Sequence, residues 1–236
     1  MSKQVVIFLH MDDESPGYIG DYLQRQKIPH CLIRGYQGDV IPALDDSIAG
    51  LVFMGGVMSA NDDIPWLKQE ITLIREGITQ GIPILGHCLG GQLITVALGG
   101  KVISNPVPEV GWHRCHRQLN SAAADWLGDV EDPFIMFHWH LETFSVPVGA
   151  QLLFSSEHCQ HQAYSYGNNV LAIQGHVEMT ESLLVSWLTQ WRSYLSEQSD
   201  SEQTDDEIRQ HLVANVAALN QVAERLYCRW SATLSL

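Results

Sequence analysis

The sequence predicts an α/β fold, a three-layer sandwich with a mostly parallel central sheet. Three observations predict it. Short apolar runs alternate with stretches of helical period through the first hundred residues. Two of those runs end in glycine-rich turns, at Gly55-Gly56 and at Gly86 to Gly91. Hydrophobic residues make up 45% of 236 positions, enough for a sizeable core.

In chain order, residues 5–9 read as a buried strand, followed by a loop and a helix near residues 16–26. Residues 29–34 and 50–53 give a second and a third strand. Pro65 opens a helix in which Leu67, Ile71, Ile74 and Ile78 fall three to four apart. Residues 82–85 form a strand that runs into a helix over 90–98, stopped by Gly99-Gly100. The second half is strand-rich, with candidates at 101–103, 134–138, 151–154, 162–166 and 170–174. Thr180 caps a helix whose apolar face is Leu184, Trp187, Leu188, Trp191 and Leu195. The expected organisation is one domain over residues 1–195, an acidic polar linker over 196–206, and a C-terminal helix over 207–236 packed on the same domain.

Charge and cysteine content narrow the function. Asp and Glu number 27 against 13 Lys and Arg, a formal charge of −14. That balance excludes phosphate-led nucleic-acid binding, which needs clustered cations. No apolar run approaches the roughly 18 residues of a membrane span, and the short apolar stretch after Lys3 is no secretory signal. Five cysteines, Cys31, Cys88, Cys115, Cys159 and Cys228, show no CxxC spacing. A disulfide framework is therefore not expected, and the cytoplasm is the expected compartment.

The segment Gly86-His87-Cys88-Leu89-Gly90-Gly91-Gln92 carries the chemistry. An apolar strand meets a helix with almost no loop, and Cys88 stands at the corner. Glycines two residues to either side remove side chains that would clash there, the logic of the G-x-S-x-G elbow with sulfur for oxygen. The corner projects its side chain beyond the sheet edge, at a helix N-terminus that favours a thiolate. A nucleophile needs a base. His176 follows a predicted strand, and Glu178, two residues on, points to the same side of an extended chain. Ten other histidines compete with it. The backbone N–H groups at Gly56 and Leu89 are candidates to cradle an oxyanion.

These strings, in this order, resemble the class I (cysteine-triad) glutamine amidotransferases. The likeness is to free-standing proteins similar to the amidotransferase half of GMP synthase, and it covers residues 50–195. The resemblance implies a flavodoxin-like class I amidotransferase fold. It implies Cys88 as nucleophile, His176 as general base, Glu178 as its orienter, and Gly56 and Leu89 as oxyanion donors. Gly55, Gln92, His138, Trp139 and His140 are implied in holding substrate, glutamine or a γ-glutamyl small molecule, without metal or organic cofactor. The chain departs from the family pattern at Val57 and Val177, where proline is common, at Gly175, where an aromatic is usual, and at Leu141-Glu142, for a frequent Gly-Asp.

Three functions follow as alternatives. The first is a glutaminase that passes ammonia to a separate synthetase subunit, since the chain lacks a GxxxxGK[ST] loop of its own. The second is a self-sufficient hydrolase of γ-glutamyl peptides or amines. The third is a non-catalytic binding or regulatory protein on the same scaffold. The pairs His113/His116, His138/His140 and His158/His161 lack zinc-site spacing and read as surface or core histidines. Asp12, Asp13 and Glu14 read as solvated loop charges, and Trp187 and Trp191 as core.

Overall fold

Nine strands form one sheet in the order β2-β1-β3-β4-β9-β8-β7-β5-β6 in a computed structural model, which describes residues 3–195 and 199–236. Strands β1 (Gln4–Phe8), β2 (His30–Ile33), β3 (Ile48–Phe53), β4 (Ile84–His87) and β9 (Val170–Ile173) are parallel. Strands β5 (Val102–Arg117), β6 (Phe134–Phe144), β7 (Ala150–Ser156) and β8 (Ala163–Tyr166) continue the sheet antiparallel. Four of the parallel strands come from the alternating first part of the sequence, while β9 and the four antiparallel strands come from the strand-rich second part.

Alternate residues of the parallel strands enter two separate cores, as expected of a sheet covered on both faces. Val5 and Ile7 pack with helices α1 (Gly17–Arg25), α4 (Ser121–Leu127), α5 (Glu181–Gln190) and α7 (Leu212–Ser231). Val6 and Phe8 pack with α2 (Pro65–Gln80) and α3 (Leu89–Ala97) on the other face. The α/β architecture is therefore a large central sheet flanked by helices.

Four elements differ from the sequence reading. The strand expected at 101–103 extends to Arg117, because a bulge between Ser104 and Glu109 absorbs Pro106 and Pro108. Helix α4 was not anticipated; Asn120 caps it by accepting from the Ala123 amide at 2.8 Å. The expected linker is mostly pinned. Ser196, Glu197 and Gln198 lie outside the described residues, but Ser201 and Gln203 bond to Val110 of β5 through main-chain contacts of 2.9 and 3.0 Å. Helix α6 (Asp205–Gln210) starts at Thr204 in a capping box with Glu207. His211 separates it from α7, so the expected single terminal helix is two. Among the described residues no helix is long and apolar enough to cross a membrane.

Helix α7 buries Leu219, Ala223, Leu226 and Trp230 against the sheet. Leu219→Ala should cost about 2–5 kcal/mol in chemical denaturation, the range for a fully buried leucine. Val213→Ala, on the exposed face of the same helix, should stay within about 0.5 kcal/mol of the parent.

Candidate active site

Strand β4 lies between β3 and β9, and all three end on the same edge of the sheet. Their C-terminal continuations carry Gly55-Gly56, Cys88 and His176, so the topology alone brings these residues together. The corner after β4 is extremely tight. A Cβ on Gly90 would lie 2.0 Å from the Phe53 carbonyl oxygen, and one on Gly86 would lie 2.4 Å from the Gly90 main chain. Cys88 takes φ +48° and ψ −108°, one of two non-glycine residues with positive φ among those described. Such a conformation costs about 1–3 kcal/mol and persists only where its surroundings enforce it. Here Cys88 N–H donates to the Ile173 carbonyl at 2.8 Å, and Gly90 N–H donates to the Met54 carbonyl at 3.1 Å.

His176 is buried, and its ring and the Cys88 sulfur line the same cavity. Its amide donates to the Phe137 carbonyl at 2.8 Å, and its Nδ1 lies 2.6 Å from Glu178 Oε1. Burial opposes a charged imidazole, but Glu178 and Cys88 outweigh it, and His176 titrates well above the usual histidine range. Burial likewise pushes the Glu178 carboxyl up, and the His176 and His87 rings reverse that, leaving it below its ordinary value. His87, next to Cys88, points beneath the site. Its Nε2 is 2.9 Å from the Tyr227 hydroxyl of α7 and 4.0 Å from Glu178 Oε2, and burial holds its pKa low.

The other expected donors sit beside this group. Leu89 opens α3, so its amide has no acceptor within the helix. Gly56 packs against Leu89, since a Cβ there would lie 2.8 Å from Leu89 Cδ2. Sequence reasoning missed what holds Gly56: His10 Nδ1 reaches the carbonyls of Met54 and Gly55, each at 3.0 Å, and its Nε2 meets Glu70 Oε2 at 3.0 Å. In a trans peptide the N–H points opposite the C=O. Fixing the Gly55 carbonyl on His10 therefore aims the Gly56 amide away from it. Gly55 edges the His176 ring, whose Cε1 lies 3.1 Å from where a Gly55 Cβ would be.

Cys88, Gln92 and His176 line a cavity of about 480 Å³. Trp139, His140, Leu141 and Glu142 of β6, the sheet's last strand, form one side. Met11, Met58, Trp187, Trp191 and Tyr194 supply apolar surface. Gln92 Nε2 donates to Gln174 Oε1 at 3.3 Å, and Gln174 Nε2 lies 3.7 Å from the Cys88 sulfur. His138 does not join that lining. Its ring is fully buried, Nδ1 3.6 Å from Glu109 Oε2, and burial pushes its pKa down to about 3.

Glu109 anchors a buried network behind the cavity. It accepts from Ser156 Oγ at 2.6 Å, from Gln162 Nε2 at 2.5 Å and from His140 Nε2 at 2.9 Å. Glu109, His140 and Cys159 bring donor atoms within 4.8 Å of one another, the geometry a metal needs, but hydrogen bonds already occupy both Glu109 oxygens. Glu14 departs from its reading as a solvated charge. It is 5% exposed beside the His176–Glu178 pair, neither oxygen has a hydrogen-bond partner among the described residues, and burial and the Glu178 charge raise its pKa well above the usual range. No periodicity marks Glu14, His10 or Glu109 in the sequence; each gains its setting only when distant strands meet.

Known proteins resemble this chain in fold and sequence. A glutamine amidotransferase from Methylobacillus flagellatus is 38% identical, with a TM-score of 0.96 over 100% of this chain and 96% of that one. A GMP synthase of Caldicellulosiruptor saccharolyticus is 28% identical over 77% of this chain and 34% of its own length. Gamma-glutamyl peptidase 3 of Arabidopsis thaliana is 30% identical over 59% of this chain and 58% of its own. The chain thus spans about a third of that synthase and little over half of that peptidase. The family model for class I glutamine amidotransferases matches residues 31–187, and the chain belongs to that family.

Proposed function

We propose that this protein hydrolyses the side-chain amide of glutamine or of a γ-glutamyl compound through a thioester on Cys88. The observation that carries this reading is the strained corner of Cys88, facing a buried imidazole that is itself held by a buried carboxylate. Cys88 and His176 share one proton as a thiolate–imidazolium pair, and the thiolate attacks the γ-carbonyl carbon. The oxygen gains a negative charge, which the amides of Gly56 and Leu89 receive. As the C–N bond breaks, His176 returns the proton to the departing nitrogen, which leaves as ammonia or an amine. Water, deprotonated by the same imidazole, adds to the thioester, and the C–S bond breaks to give glutamate and free thiol. Gln92 and the main chain of β6 at Trp139 and His140 hold the amino-acid part, which leaves the Trp139 ring to the other side of the scissile bond, while His138 acts behind His140 through Glu109. Of the two product routes, ammonia passed to a separate synthetase and an amine released directly, the apolar cavity beside His176 favours the second.

Steady-state assays of amine or ammonia release test the assignment. Cys88→Ala should abolish turnover with the fold intact, and His176→Ala should be nearly as damaging; full activity in either refutes it. Glu178→Gln should be milder, and it makes a signed prediction. Removing the carboxylate that favours the imidazolium lowers the His176 pKa, so the alkaline limb of kcat/KM should move to lower pH. An unmoved limb would separate Glu178 from the mechanism. His10→Phe should lower kcat about 10- to 100-fold with little change in KM, because a loosened Gly56 amide matters chiefly once the oxygen is charged.

A further inference from the structure

The general acid must reach the departing nitrogen, so any substituent on that nitrogen lies on the His176 side of the cavity. That side is aromatic. Trp187 packs edge-on against His176, ring centres 5.0 Å apart. Trp191 stacks on Trp187 at 4.8 Å, and Trp139 stands perpendicular to Trp191 at 5.6 Å. Trp187 is buried by this packing, while half-buried Trp191 and Trp139 present the surface. Tyr194 and Leu141, 74% and 67% exposed, extend it outward. Ammonia makes no use of such a wall.

Charge narrows the class further. Among the described residues lining the cavity there is no Lys or Arg. Glu142 lines it and accepts from Ser59 Oγ at 3.0 Å, in a chain of formal charge −14. A leaving amine with its own carboxylate, as in a γ-glutamyl dipeptide, would enter against that charge with no Lys or Arg in the lining to meet it.

Resting on the thioester reading above, we infer that the preferred substrate is a γ-glutamyl amide of an uncharged amine bearing an aromatic or bulky apolar group, which seats against Trp191 and Trp139. The bond changes are those already written: C–N breaks, C–S forms, and the His176 proton leaves on the amine.

The test compares γ-glutamyl-benzylamide, γ-glutamyl-methylamide, γ-glutamyl-glycine and glutamine as substrates of the whole chain. Benzylamine and methylamine are both alkylamines, so the ring acts chiefly through binding. Burying it should raise kcat/KM about tenfold or more over the methylamide, with the glycine conjugate lowest. Trp191→Ala should erase most of that ratio, Trp191→Phe should restore part of it, and Tyr194→Ala, at the exposed rim, should lower it less. A benzylamide no better than the methylamide, or a glycine conjugate better than both, overturns the inference while turnover itself preserves the thioester reading. If no γ-glutamyl amide is hydrolysed, glutamine included, both fall.

Discussion

The structure depends on how closely α3 approaches the sheet at Cys88. Only glycine fits at Gly86 and Gly90, where an added Cβ would lie inside the main chain of the opposing element. That closeness forces Cys88 into a conformation that L-residues avoid. The strain is opposed by hydrogen bonds that run from the corner to both neighbouring strands, to Ile173 on one side and Met54 on the other. The same two strands deliver His176 and the Gly55-Gly56 turn. Bonds that hold Cys88 in its strained state thus also fix its distance to His176 and to the Gly55-Gly56 turn.

Beneath the site lie ionisable side chains that would each be costly alone. Glu178 is buried between His176 and His87, and His87 meets Tyr227 from the last helix. A buried charge survives when partners compensate its lost hydration, and here His176 is the partner within 2.6 Å. Glu14 is the opposite case: burial and the Glu178 charge both oppose its ionisation and raise its pKa. Tyr227 gives α7 a place in this arrangement: the helix covers an apolar face of the sheet and closes the floor of the dyad.

Legibility followed the range of the determining forces. The elbow is local, a strand, a turn and a helix within a dozen residues, and its glycines state their reason in the sequence. His176 and Glu178 stand two apart, so their pairing needs only an extended chain, though choosing His176 among eleven histidines needed the family pattern. What was illegible is long-range. His10 matters because β1 lies beside β3, and Glu109 because β5, β6 and β7 meet behind the cavity. The prolines of β5 concealed a strand that tertiary pairing imposes across a bulge. Trp187 reads correctly as core, yet the same helical period leads through Trp191 into the cavity wall, a distinction that solvent exposure settles and periodicity cannot.

The central claim is that the sulfur at this corner becomes acylated. The most direct measurement is peptide mass mapping of the chain quenched in acid during turnover of γ-glutamyl-methylamide, since acid preserves thioesters. A γ-glutamyl group on the peptide carrying Cys88, absent when substrate is withheld, is the predicted result. Product accumulating at full rate while every Cys88 peptide remains unmodified, with the label on another residue, would contradict the account.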